Sequence, residues 1–253
     1  MPFSQDSPWR DLVQEVWVSI MGSCLIRTDQ TCGTHVHISP LGNLQWHIES
    51  LKHICRSILW FESALEVVVP KTRRGNAWAK SNRFDNSKFQ GKDIAQCFQL
   101  VDQCSNNTEI ADLMNDNGDR HYGWNFTNLY DGGVMTIEFR RGPGVTEVGM
   151  CLGWVELAVS FIQSAQSFGT LAQLTNYPKD VQGFKDFIIA GLEQGVNKYE
   201  LMTPIFQGKS GSLEPIRVGN LTLEQRQKLH QKTEEDRKKS LIRKKFMSYS
   251  AQH

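Results

Sequence analysis

The chain of 253 residues lacks most of the short signatures by which common sites announce themselves. It contains no GxxxxGK[ST] and no GxGxxG, so neither a P-loop nor a dinucleotide-binding fold accounts for any use of nucleotide. Its six cysteines, Cys24, Cys32, Cys55, Cys97, Cys104 and Cys151, form no CxxC pair, and no zinc ribbon or thioredoxin-type redox centre is advertised. No apolar run approaches the roughly 18 residues of a membrane span. The richest, Cys151 to Ile162, is broken by Glu156 and reads as a buried helix. The first residues mix Asp6, Arg10, Asp11 and Glu15 with apolar ones, so no secretory signal is expected. The cysteines are therefore read as reduced thiols of a cytoplasmic protein. Without secretion, the N-x-T sequons at Asn106, Asn125 and Asn220 carry no meaning. Charge of one sign is also missing: the net charge is +1, so bulk electrostatics favours neither nucleic acid nor acidic partners. No nucleic-acid or membrane partner is expected, and any electrostatic argument must be local.

What is present begins with periodicity. Leu12, Val13, Val16, Trp17 and Ile20 recur at helical spacing, which predicts a helix over Pro8 to Met21, ended by Gly22, with a short strand from Cys24 to Arg27. Thr34 to Ser39 alternates and predicts a strand. Asn43 is the candidate N-cap of a long helix running to about Val68 and stopped before Pro70. Lys71 to Asn86 reads as a long basic loop, and Asp93 to Leu113 as a peripheral helix interrupted at Cys104 to Thr108. Asn115 to Asp119 has turn chemistry. Tyr122 to Tyr130 and Val134 to Arg140 suggest a hairpin around Asp131-Gly132-Gly133. Thr146 is the candidate cap of a helix reaching about Phe168, and Phe184 to Leu192 forms a shorter one. The charged stretch from Leu221 to Lys245 reads as a solvated helical tail. Two parts are expected, 1–205 and a tail at 206–253.

Three groups of residues carry chemistry. In Cys32-Gly33-Thr34-His35-Val36-His37 the two histidines share one strand face, where imidazole can ligate a metal or bind phosphate. The same spacing also suits two surface histidines, and a zinc site would need further ligands that the sequence does not advertise. In Thr136-Ile137-Glu138-Phe139-Arg140, the residues Thr136, Glu138 and Arg140 share a face. A carboxylate there suits Mg2+, and a guanidinium suits a phosphoryl group or a substrate carboxylate. A cross-strand salt bridge on a solvent face would leave the same pattern. The loop Pro70 to Arg83 holds Lys71, Arg73, Arg74, Lys80 and Arg83, several cations of the kind a polyphosphate needs, or a plain solvated loop.

Taken in order, CGTHVHISP, a long helix with FE, P-x-x-RR-x-N-x-W-x-x-SNR, WNFTNL and TIEFRRGPGV resemble the amidoligase family abundant in fungi, itself similar to glutamine synthetase. The resemblance runs from about Trp9 to Phe168 and implies an α+β fold in which helices pack behind an antiparallel sheet. It implies that His35 and Glu138 would hold Mg2+, with His37 near the phosphate and Arg140 stabilising transferred charge. Arg74 and Arg83 would hold ATP or acid substrate, and Asn82 and Arg141 match the cofactor-binding pattern, as Asn125 and Asn128 match the family without a clear role. The implied chemistry joins a small-molecule or peptide carboxylate, activated by ATP as an acyl phosphate, to an amine. The family pattern usually opens with an upstream strand bearing E-x-E, and Asp6, Asp11, Glu15 and Asp29 form no such pair. Glu62 and Glu66, on a helix, are poor replacements. A homo-oligomer or a partner chain is one way to supply the strand. A non-catalytic binding or scaffolding subunit is the alternative, and an HxH metal-binding protein unrelated to ligases is a third.

Overall fold

Alternating apolar and polar residues around two short segments build the sheet. In the computed structural model, which describes residues 8–29, 31–40, 45–130, 132–192 and 198–218 with 224, 227, 228 and 231 beyond, β1 (Gly33–Ile38) pairs antiparallel with β3 (Ile137–Pro143). β2 (Trp124–Asn125) pairs antiparallel with the other side of β3, giving the order β1-β3-β2. The fold is α+β. Val36, Ile137, Phe139 and Trp124 are buried on one face, while His35 and His37 stay exposed on the other.

The helices are α1 (Trp9–Ser23), α2 (Ile48–Val68), α3 (Ile94–Gln103), α4 (Asn107–Met114), α5 (Val148–Phe168), α6 (Leu171–Leu174), α7 (Val181–Ala190) and α8 (Lys198–Phe206). α2 and α5 form the centre of the helical layer. Phe139 and Trp124 of the sheet stand 4.8 Å apart, and Trp124 meets Phe161 of α5 at 5.2 Å. Phe161 in turn meets Phe184 of α7, and Phe61 of α2 meets Phe187 at 4.8 Å. Burying each of these rings is worth about 2–3 kcal/mol, and close aromatic pairs add about 0.5–1.5 kcal/mol. That chain of rings anchors the short sheet. α5 is the one described helix long and apolar enough to cross a membrane, yet most of it is buried in this core, as expected for Cys151 to Ile162.

Several local expectations are corrected. α2 begins at Ile48, where the His47 imidazole accepts from the Glu49 amide; Asn43 lies outside the described residues. Cys24 to Arg27 forms no strand. α3 and α4 are not peripheral, because Cys97, Phe98, Val101, Ile110 and Ala111 are buried; Asp93 opens α3 with a reciprocal capping box to Gln96. α5 starts after Glu147 and not at a Thr146 cap. The hairpin around residue 131 is replaced by a longer connection, because a 3-10 turn at Thr127–Leu129 follows β2. Met135 then takes φ +54, donates to Asn128 O at 3.0 Å and accepts from the Trp46 indole, so β3 begins only at Ile137.

The chain divides into two compact units, Met1–Arg217 and Val218–His253. Within the first, 207–217 is held by backbone bonds from Val181 to Gly211 and from Leu213 to Ser63, and by Lys209 on Val68 O. In the second, the described positions 224, 227, 228 and 231 are helical, and Lys228 pairs with Glu224 at 2.7 Å. The rest of the expected tail helix lies outside the described residues.

α1 buries only Trp9, and Leu12, Val16 and Ile20 remain exposed along one stripe. A Val16→Lys substitution should therefore change the unfolding free energy by less than about 0.5 kcal/mol in a urea titration. A loss above about 1 kcal/mol would show that the stripe is covered in solution.

Candidate active site

The site is made where β1 and β3 present their polar face. The Cα register sets His37 opposite Glu138, and Asn125 of β2 opposite the same residue from the other side. Four donors converge on the Glu138 carboxylate. Oε1 lies 2.7 Å from Arg140 Nη1, 3.1 Å from His35 Nδ1 and 3.5 Å from His37 Nε2. Oε2 accepts from the Asn125 amide at 2.8 Å. Burial opposes the charge of Glu138, but His35 and His37, the Arg140 cation and the Asn125 amide outweigh it and hold the carboxyl well below the usual range. His37 Nδ1 lies 3.1 Å from Thr136 Oγ1, which also accepts from Asn128. The result is a buried carboxylate beneath two imidazoles that are 37% and 49% exposed.

The sheet continues past β2 through one parallel bridge, Lys80 to Tyr122. Lys80 N donates to His121 O, Gly123 N to Lys80 O, and Arg140 N to Gly123 O. Arg140 Nε reaches Trp78 O at 3.3 Å, and the Trp78 ring meets His121 edge-on at 4.8 Å. Asp119 holds Lys80 Nζ at 2.7 Å and His121 Nδ1 at 2.8 Å. Burial works against the Asp119 charge too, and the bonds from His121 and Lys80 still keep its pKa low. Asp119 closes the NDNGD turn and His121 comes just after it, and their place beside Arg140 depends on pairing with Lys80 some 40 residues earlier, which periodicity does not reveal.

His35, His37, Glu138 and Arg140 are thus brought together. The other expected cofactor residues are not part of that face. Asn82 is a correction: its amide donates to Trp124 O and Met114 O and accepts from Trp124 N, so it is spent inside the protein. Arg141 is another, because it lies on the buried side of β3 and pairs with Glu66 of α2. Arg74 donates to Val67 O at 3.0 Å in the last turn of α2. Arg83 lies over the Phe84 ring, and its charge reaches Cys97 of α3. Glu62 and Glu66 serve these same residues as internal acceptors.

The donor set does not suit Mg2+ by itself. Mg2+ asks for several oxygen ligands in near-octahedral array. Among the described residues Glu138 is the only carboxylate within bonding distance of His35 or His37, both its oxygens are engaged, and a guanidinium sits 2.7 Å away. Among the described residues no group of three or more His, Cys, Asp or Glu could hold a metal ion.

A family model described as "Putative amidoligase enzyme" matches residues 1–162. The chain belongs to this amidoligase family. No curated protein and no solved structure matches it. The amidoligase match takes in all three strands, α1 to α4 and most of α5, and therefore every residue of the site. α6, α7 and α8 lie beyond it, where α7 supplies Phe184 and Phe187 to the core behind the sheet. All six cysteines are free thiols, in line with the absence of paired spacing.

Proposed function

We propose that this amidoligase is an ATP-dependent carboxylate–amine ligase whose substrate face is the open side of β1 and β3. The observation that carries the reading is the convergence of Arg140, His35 and His37 on Glu138 at the solvent-facing side of the sheet. A guanidinium and two imidazoles at one place can donate charge-assisted hydrogen bonds to phosphoryl or carboxylate oxygens. Glu138 holds them in position until an anion competes for the same donors. The substrates are a small-molecule or peptide carboxylate, which attacks the terminal phosphorus of ATP with loss of ADP, and an amine, which then displaces phosphate. The fungal-type motifs and the likeness to glutamine synthetase support this chemistry. The oxygen ligands that Mg2+ needs are incomplete among the described residues, and Arg140, His35 and His37 offset the charge of the transferring group. The reduced thiols fit a cytoplasmic setting.

Full engagement of Glu138 by four donors favours one second reading, a binding or scaffolding subunit that holds ligand without turnover. Calorimetric titration of the full chain with a non-hydrolysable ATP analogue, with and without Mg2+, separates the outcomes. Micromolar binding by wild type, weakened about tenfold to a hundredfold in Arg140→Ala, is expected from losing a charge-assisted hydrogen bond. Phosphate release on adding ATP with a mixture of carboxylates and amines distinguishes ligase from binding subunit. A folded wild type that binds no analogue overturns both nucleotide readings.

A further inference from the structure

Arg73 is a buried cation outside the group of donors on Glu138. Its neighbour Arg74 serves α2, whereas the Arg73 guanidinium runs to the sheet. There the β1–β3 register slips: Thr34 faces Gly142, but Val36 faces Phe139. Arg140 and Arg141 therefore stand together opposite His35, a β-bulge in β3. A bulge interrupts the ladder and re-aims the side chains around it. Arg73 Nη2 donates to Arg140 O at 2.7 Å, at the bulge itself. Arg73 Nη1 reaches Cys32 O at 3.4 Å, just before β1. One rigid fork thus ties the bulged strand to the start of its partner, which a single-point lysine ammonium cannot do.

Two further facts give this contact a purpose. Arg73 is only 2% exposed and pairs with no carboxylate among the described residues. Burial, aided by the charges of Arg141 and Arg140, lowers its pKa to about 10. A cation kept in so unfavourable a place has its main anchors in two carbonyls. Gly33 makes the approach feasible: a Cβ there would lie 3.2 Å from both Arg73 Nη2 and His35 Nε2. The fork's end and His35 Nε2 therefore both lie over the bare backbone of Gly33.

We propose that Arg73 is the positioning residue of the substrate face, clamping the β3 bulge to the start of β1 and thereby setting the placement of Arg140 and His35 for anion binding. The proposal rests on the ligase reading for its ligand but not for its geometry. It is tested in the full chain by NMR of histidine-labelled protein, with the His35 signals assigned through His35→Gln, and by titration with the ATP analogue.

Arg73→Lys is expected to fold, to move the His35 imidazole signals and to weaken analogue binding about tenfold, because the ammonium reaches one carbonyl and not both. Gly33→Ala, which keeps Arg73 but crowds its fork and His35 together, should move the same signals. If Arg73→Lys leaves both the His35 signals and the affinity unchanged, charge alone suffices and the clamp is overturned. Should it fail to fold, Gly33→Ala decides by the same signals: unmoved His35 resonances in the folded variant overturn the proposal. If wild type binds no analogue, the ligase reading falls, while the His35 signals of the free protein still judge Arg73.

Discussion

Glu66→Ala is expected to lower the unfolding free energy by about 3–5 kcal/mol, because it strands a buried guanidinium. Glu66 and Arg141 have side chains 0% and 2% exposed and are bonded to one another. Arg141 also lies close enough to Gly123 that a Cβ there would stand 2.5 Å from its Cδ. Arg73, another buried cation, is near enough for the Arg141 charge to depress its pKa, so the loss of Glu66 would leave two like charges facing each other. Urea titration followed by tryptophan fluorescence measures the effect. The double variant Glu66→Leu with Arg141→Met should recover most of it, since burying a pair of charges is itself costly. A loss in Glu66→Ala below about 1 kcal/mol would mean that water reaches the pair.

Glu62→Ala should cost about 3 kcal/mol or more, by leaving several donors unpaired at about 1–3 kcal/mol each. The Glu62 carboxylate receives the Ser81 hydroxyl, the Asn82 amide N–H at 2.6 Å and the Arg83 N–H at 3.0 Å. Asn82 then grips Trp124 at both its N–H and its carbonyl. Damage at Glu62 would therefore spread to β2 and to the Asn125 bond on Glu138. Native-state hydrogen exchange should show faster exchange at Trp124 N–H in this variant.

The same residue makes a pH prediction. Burial lifts the Glu62 carboxyl above its ordinary value, outweighing the Ser81 bond, the Arg141 charge and the Arg83 and Asn82 amides. A carboxyl with a raised folded pKa holds its proton better in the folded state, so its contribution to stability is greatest below the unfolded pKa. That contribution declines as pH rises through the folded value. The stability of wild type relative to Glu62→Gln should therefore fall as pH rises above the ordinary glutamate pKa of about 4. A flat or rising difference would mean that the Glu62 pKa is not raised.

The sequence by itself determined β1, the core of β3 and the two faces of each. In THVHI and IEFR, alternation decides which side chains of a strand share a surface: it put His35 with His37 and Glu138 with Arg140, and the β1–β3 register joins the two pairs on one face. Arg141 was given a ligand role by motif likeness, and its burial against Glu66 emerges only in the folded protein. The apolar faces of α2 and α5 were equally plain, because helical periodicity is a local property.

Tertiary structure alone decided what the polar residues bind. Asn82, read as a cofactor-binding match on the basic loop, and Glu62, read as an acid on a helix, become buried anchors because partners 20 and 42 positions away close around them. The bulge at Arg140-Arg141, and Arg73 spanning it, depend on how β1 docks against a strand more than 100 residues later. A side chain's direction follows from the local backbone, but its partner is selected by packing between distant segments. For a charged group that partner decides whether it faces substrate or holds the protein together.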